Sequence, residues 1–341
     1  MRVRIATVVF LLLFGAGCGI RPRAETPALP TEPLVWPKSP AKPRIRYVGR
    51  FAGPHDLAIE KSFLRRLAER LFGTTEEYLV RPTGVAEHDG VLYVADPGAQ
   101  ALWIFDRAHR RFLKVGWVAG QRLGSPVAIA VRAGGGVFVA DSWLKKVFLL
   151  DEEGKLLRTV VRHGLKRPAA LAYDEDTQRL YVADSAAHRI VVYGADGGLV
   201  SAWGRRGNGD GEFNFPTHLA LGRSGTLFVT DALNFRIQAF NLEGRFLWKM
   251  GWHGDGSGDF AAPKGVAADG QGHLYVVDAL FDAVQIFKRD GTFLLAFGER
   301  GIRPGQFWLP GGIFLTRHGR IYVADSYNQR VQIFDLVLGS E

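Results

Sequence analysis

The sequence predicts an all-β chain folded as a six-bladed β-propeller, and three observations carry that expectation. Six short β-runs end in aspartate: LYVAD at Asp96, VFVAD at Asp141, LYVAD at Asp184, LFVTD at Asp231, LYVVD at Asp278 and IYVAD at Asp325. The aspartates stand 45, 43, 47, 47 and 47 residues apart, and a fixed period of this size marks a repeat architecture. Each unit holds about four short strand patterns and no helical one, which is the content of a propeller blade.

The leader comes first. Arg2 and Arg4 precede an apolar run from Val8 to Phe14, then Gly15, Ala16 and Gly17, then Cys18. This is the order of a signal peptide over residues 1–17, and the run is shorter than the ~20 residues of a spanning helix. Cys18 is the single cysteine of the chain. Its placement resembles the bacterial lipobox, with Gly15 where that motif usually has Leu. The resemblance implies a lipidated Cys18 at the mature N-terminus and a protein anchored in the bacterial cell envelope, on its periplasmic or surface side. An ordinary signal peptide with an incidental cysteine is the alternative. With no second cysteine the chain forms no intramolecular disulfide, and thiolate metal sites are excluded apart from Cys18 itself.

Residues 18–41 carry Pro22, Pro27, Pro30, Pro33, Pro37 and Pro40 with no apolar periodicity, so they read as an extended tether. The propeller is expected over residues 42–341. Within it, residues 61–73 break the repeat. Phe63, Leu64, Leu67, Ala68, Leu71 and Phe72 have helical spacing, with Lys61, Arg65, Arg66 and Arg70 between them. A helix there can pack on the ring, dock a partner or lie on a membrane surface.

Unit five shows the pattern at full length: PKGVAA from Pro263, LYVVD to Asp278, AVQIF from Ala283 and TFLLAFG from Thr292. Alternating Val, Ile, Phe and Tyr are strand formers, and the Asp-Gly breaks supply turns. The last unit stops after RVQIF with no outer strand, whereas RIRYVGRFAG, from Arg44 to Gly53, reads as an outer strand with no blade before it. Pairing residues 44–51 with the strand near Arg330–Phe334 closes the ring and removes two exposed edges.

DALNFRIQAF from Asp231 and DSYNQRVQIF from Asp325 resemble the NHL repeat. DSAAHRIVVY keeps Asp184 and Arg189. The second unit has Lys146 at the arginine position, and the units of Asp96 and Asp278 have Ala101 and Ala283 there. The resemblance extends over roughly residues 42–338 and implies a propeller, a fold that hosts many activities. Repeated in nearly every unit, the aspartates and Arg189, Arg236 and Arg330 read as braces of the connecting turns rather than as a catalytic set.

The resemblance also implies where an activity would sit, because enzymes of this family and similar six-bladed hydrolases place metal ligands around the central tunnel. The residues after the first proline of each unit are Thr83-Gly84, Val127-Ala128, Ala169-Ala170, Thr217-His218, Lys264-Gly265 and Gly311-Gly312. Most are small. His218 and Lys264 stand out as candidate binding residues, but a catalytic zinc needs about three protein ligands and one histidine is found. No H-E-x-x-H, G-x-S-x-G or phosphate loop is present. No catalytic residue, metal or cofactor is therefore expected.

Loops from Gly204 to Pro216, Gly251 to Pro263 and Gly298 to Pro310 link successive units, with Phe213, Phe260 and Phe307 recurring as packing plugs. Trp252, His253, Arg300, Arg303 and Trp308 in these loops combine apolar area with charge, as binding hot spots do. Packing of the two tryptophans between blades is the alternative. The charge of +9 falls to +7 without Arg2 and Arg4, and a basic envelope protein faces anionic lipid, polysaccharide or an acidic protein rather than nucleic acid. The expectation is a monomeric, non-catalytic scaffold for an envelope protein or ligand, with a tunnel-centred hydrolase or lyase as the alternative.

Overall fold

The structure is a computed structural model and describes residues 32–59, 77–222 and 225–337. The expected signal peptide, Cys18, the first part of the tether and the helix at 61–73 lie outside the described residues. Six antiparallel sheets follow one another, five of four strands and one of five. In the first five blades the strand nearest the axis comes first in the chain and the outermost last; in the sixth the three inner strands keep that order and the outer ones come from the N-terminus. The six inner strands are Gly84–His88, Pro126–Val131, Pro168–Asp174, Pro216–Gly222, Pro263–Ala268 and Ile313–Leu315.

The apolar residues sort by blade interface. One buried cluster lies between each adjacent pair of blades: Phe138 and Leu149 of blade two meet Tyr173 and Leu180 of blade three, and Phe228 and Met250 of blade four meet Val276 and Phe287 of blade five. The cause is the two-sided sheet. A blade that alternates Val, Ile and Phe across both faces leaves one face in water unless a neighbour covers it.

Closure follows the expected pairing. The strand Ile45–Phe51 runs antiparallel to Arg330–Leu336, with Tyr47 opposite Phe334 and Phe51 opposite Val331. Ile45 and Tyr47 join the cluster between blades five and six, and Phe51 joins the one between blades six and one. The N-terminal strand thus supplies apolar side chains to both interfaces of the last blade.

One boundary differs from the sequence reading. Val35–Trp36, expected in the tether, forms a further strand outside Ile45–Phe51, with Val35 opposite Arg46 and Trp36 opposite Ile45. The Trp36 ring lies 5.8 Å from Phe297 and 5.9 Å from Phe334, and Leu34 packs against the same cluster. Apolar contact, with the hydrogen bonds Tyr47 N to Leu34 O and Arg44 N to Trp36 O, outweighs the extended bias of the prolines around it. The ring begins at Leu34. A small hairpin, Trp117–Val118 with Gln121–Arg122, also appears between blades one and two.

Polar bonds near the axis tie consecutive blades. Thr83 Oγ1 donates to Val127 O, Thr230 Oγ1 to Lys264 O, Gly265 N to Gly311 O and Ser326 Oγ to Pro82 O. The last of these joins blade six to blade one.

These contacts set an order of stability among truncations. Deleting residues 19–33 should leave the melting temperature unchanged, deleting 19–41 should lower it through Leu34 and Trp36, and deleting 19–52 should lower it most. Phe51 alone accounts for roughly 1.5–3 kcal/mol. Equal melting temperatures for the three variants would sink the closure scheme.

Candidate functional site

The repeated aspartates are fully buried at the ends of their strands, where each accepts backbone amides from the loop entering its own blade. Asp141 accepts from Gly124, Ser125, Trp143 and Leu144, and Asp278 from Ala261, Ala262, Leu280 and Phe281. Asp96 and Asp184 accept from Val80 and Arg81 and from Lys166 and Arg167. Where arginine is present it is added to the brace. Arg236 Nε donates to Asp231 Oδ2 at 2.8 Å and Arg330 Nε to Asp325 Oδ2 at 2.7 Å, while the other guanidinium nitrogens donate to loop carbonyls. Arg189 makes the looser version, 3.3 Å from Asp184 and about one third exposed. Lys146 instead reaches Gln121 Oε1 in the small hairpin.

A further member, present in the repeat pattern but not singled out there as a brace, is a glutamine. Gln238, Gln285 and Gln332 each accept the amide of a loop glycine and donate to a loop carbonyl. Burial pushes the carboxyls of Asp231 and Asp325 up, against their hydrogen bonds and the arginine charges. The loops held this way also carry fully buried Phe213, Phe260 and Phe307. Gly204, Gly251 and Gly298, at φ 93°, 93° and 92°, lie where a Cβ would strike those rings. The loops are part of the rigid frame.

At the axis, the six inner strands enclose a channel of about 240 Å³, lined among others by Val85, Ile129, Leu171, Leu219, Val266 and Ile313. One residue nearer the loop side stand Gly84, Ala128, Ala170, His218, Gly265 and Gly312. Next come Thr83, Val127, Ala169, Thr217, Lys264 and Gly311. His218 and Lys264 are thus on adjacent inner strands at one mouth of the channel. His218 sits deep in the ring, and its Nδ1 and the Thr217 Oγ1 are shut from solvent without a hydrogen-bond partner. Burial, and then the charge of Lys264, pulls the His218 ring down to about 3. Burial, and then Arg167, holds Lys264 below the usual lysine range, with Asp278 opposing. Arg167, just before the first proline of blade three, was not singled out from the sequence. Among the described residues no group of three His, Cys, Asp or Glu side chains could hold a metal ion.

The loop face around this mouth is studded with apolar side chains. Trp252 is 66% exposed and Trp308 41%, so neither packs between blades. Trp308 leans on Tyr327, ring centres 5.8 Å apart, and His253 lies on Phe235 at 4.3 Å. Arg300 is exposed, and Arg303 is exposed with its Nε 3.4 Å from Gln306 Oε1. The turns after the aspartates add Trp143, Leu233, Leu280 and Tyr327, all exposed and each two residues beyond its aspartate. That offset recurs in four blades and was legible in the sequence. The seven candidate residues do not form one pocket: His218 and Lys264 belong to the channel mouth, the other five to the surrounding loops.

His218 gives a pH signature. In the unfolded chain the ring takes up a proton near 6.5, so between about 3 and 6.5 the unfolded state binds the proton more strongly. The contribution is complete above pH 6.5 and is lost as pH falls toward 3. Stability measured against pH should fall less steeply on the acid side for His218→Gln than for the parent; parallel curves would mean that His218 is protonated in the fold.

Comparison with known proteins bears on the fold first. A family model described as NHL repeat matches residues 165–193 and 307–334, in blades three and six. A gluconolactonase of Zymomonas mobilis subsp. mobilis (strain ATCC 31821 / ZM4 / CP4) is 32% identical over 126 residues, which span 32% of this chain and 35% of that enzyme. The match therefore reaches about a third of that relative's length. Among solved structures, a gluconolactonase of Xanthomonas campestris superposes with TM-score 0.59 at 16% identity, covering 76% of this chain and 86% of that one. Virginiamycin B lyase from Staphylococcus aureus gives 0.56 at 12%, covering 76% and 96%. A chain of a nidogen/laminin complex gives 0.55 at 20%, covering 72% and 86%. At such identities the likeness is one of fold, and this fold serves two enzymes and a protein complex alike. With its repeated Asp, Arg and Gln braces and six blades closed in a ring, the chain is a six-bladed β-propeller that carries NHL repeats in blades three and six.

Proposed function

We propose that this protein is a lipid-anchored propeller of the bacterial cell envelope that binds a protein or ligand partner through its loop face and performs no catalysis. The observation that carries the reading is the loop face itself. Large apolar side chains and Arg300 and Arg303 stand exposed on loops pinned by buried carboxylates, so an interface there costs little ordering entropy. The order of basic residues, apolar run, small residues and Cys18 supports the anchor. The Pro-rich residues before Leu34 would hold the ring off the membrane.

A hydrolase or lyase working at the axis is the second reading, favoured by the gluconolactonase relative. It lacks support from the donor set: His218 has no second histidine or carboxylate beside it in a metal-binding group among the described residues, and neutral His218 next to cationic Lys264 disfavours a metal cation.

Replacing Arg300 and Arg303 together by Ala should release envelope partners from the intact lipoprotein while the melting temperature holds, since both side chains are exposed. Partners retained at unchanged stability would remove the docking face. Hydrolysis of a gluconolactone by the parent that disappears in His218→Ala would overturn the non-catalytic reading. The anchor has its own check: Cys18→Ser should abolish lipid labelling and move the protein to the soluble fraction. A Cys18→Ser protein that stays with membranes would point to the segment 61–73 instead.

A further inference from the structure

We propose, resting on the docking-face reading, that the loop face lies on an anionic lipid surface whenever no partner occupies it, its apolar half set into the interface and its basic half on the headgroups. Large exposed apolar side chains are unevenly placed on this ring. Among the described residues they stand on the outer strands and on the loop face, and none stands on the turns of the opposite end. Over blades four to six they follow one another as an arc: Leu233, Trp252, Leu280, Ile302, Trp308 and Tyr327, between 41% and 66% exposed. Leu233, Leu280 and Tyr327 share one offset from a strand-ending aspartate and so stand at one height. The loops that carry the other three are plugged by buried Phe260 and Phe307.

The other half of the face is basic. Over blades two and three Lys145, Arg162, Lys166 and Arg167 are exposed beside Trp143, and no carboxylate occurs in residues 142–146 or 162–167. Toward the apolar half, Glu299 accepts Gln306 Nε2, Asp210 pairs with Lys249 and Glu212 with Arg205. Asp255 is exposed there, against Arg300 and Arg303. An acidic protein would have to match this division into apolar and basic halves contact by contact. A bilayer of anionic lipid offers headgroup charge and an apolar interior at every point. Trp and Tyr are also the side chains that such an interface favours.

The path of the chain favours the same surface. Val35–Trp36 pairs antiparallel with Ile45–Phe51, whose last residue, Phe51, is opposite Val331, next to the loop-side brace Arg330. The chain therefore reaches the ring from the loop side. Leu34 and Trp36 lie against Gly305, in the loop that carries Ile302 and Trp308. The lipid proposed at Cys18 thus pulls on the ring beside the apolar arc. Residues 18–33 span at most about 3.6 Å each, which sets how far the ring can stand from its lipid. Resting on the bilayer and standing off it with a partner are two positions of one tethered ring.

The probes are protein-free vesicles of phosphatidylcholine with about one third phosphatidylglycerol, and vesicles of phosphatidylcholine alone. The full chain carrying Cys18→Ser, which has no lipid of its own, is sedimented with each. It should bind the anionic vesicles about tenfold more tightly than the neutral ones. Trp252→Ser with Trp308→Ser should weaken that binding about tenfold at an unchanged melting temperature. Arg162→Ala with Lys166→Ala should weaken it about tenfold at low salt and less at high salt. Leu199→Ser with Val200→Ser, exposed on the outer strand Leu199–Trp203, should change nothing. No binding to anionic vesicles, binding that either loop-face pair leaves unmoved, or an equal loss from the outer-strand pair would overturn the proposal. Binding unmoved by every pair would belong to residues 1–17 or 61–73, which all the variants share. Because the vesicles hold no protein, none of these results touches partner docking through Arg300 and Arg303, which is read separately by partner release.

Discussion

A sheet of four strands with apolar side chains on both faces has no stable existence in water, and this one fact governs the molecule. Each blade can bury both faces only between two neighbours, so the first and last blades must meet. The six apolar clusters lie one to an interface, with no separate central core among the described residues. The N-terminal strand carries the closure because, though distant in sequence from the last blade, it contributes to both of that blade's clusters, through Ile45 and Tyr47 on one side and Phe51 on the other. Closure by an element distant in sequence makes the ring one cooperative unit. Opening it would expose two apolar faces and two strand edges together.

Closure fixes the radial order and leaves the loops to be held by other means. A buried carboxylate is costly unless every lone pair is used. The six aspartates meet that demand by drawing in backbone amides of the loop that enters the blade. Arginine and glutamine then take up the loop carbonyls that no strand can satisfy. Where the arginine is missing, the amide set remains: Asp278 still holds its loop although Ala283 replaces the guanidinium. The brace therefore explains both the repetition and its tolerance. It also explains how exposed Trp252 and Trp308 can be precisely placed without being buried.

Much of this was legible in the sequence, and the reasons for the exceptions are physical. The period, the strand-ending aspartates and the missing outer strand are local patterns with one geometric solution, so fold and closure followed. Leu34 to Trp36 escape because the prolines around them dominate any local reading, whereas their docking depends on Phe297 and Phe334, more than 250 residues away. His218 and Lys264 could be found because a fixed offset from proline places them at the axis. Arg167 could not, since it precedes the proline and reaches the same mouth only through the curvature of the ring. The apolar residues two positions beyond four of the aspartates were available as a pattern. They were passed over because a single exposed Trp or Leu on a turn is unremarkable until four occupy one face.

The axis is where the two functional readings part. A propeller that works as a metal enzyme brings several donors to its channel, each costly to bury and each compensated by the metal. Here five of the six inner strands bring Gly or Ala to the level of His218, and the polar groups that do arrive are a cation, a hydroxyl and a ring kept neutral by burial. That set is a poor host for a metal cation. The wall beneath is built from edge strands whose backbone groups face the axis, and among the described residues it brings no carboxylate to move a proton. Chemistry on a bound molecule would need a base, and the neutral His218 is weakened as one by the same burial that leaves its nitrogen unpaired. What stands at the axis is a positively charged mouth, at the centre of a face whose rim exposes Trp252 and Trp308.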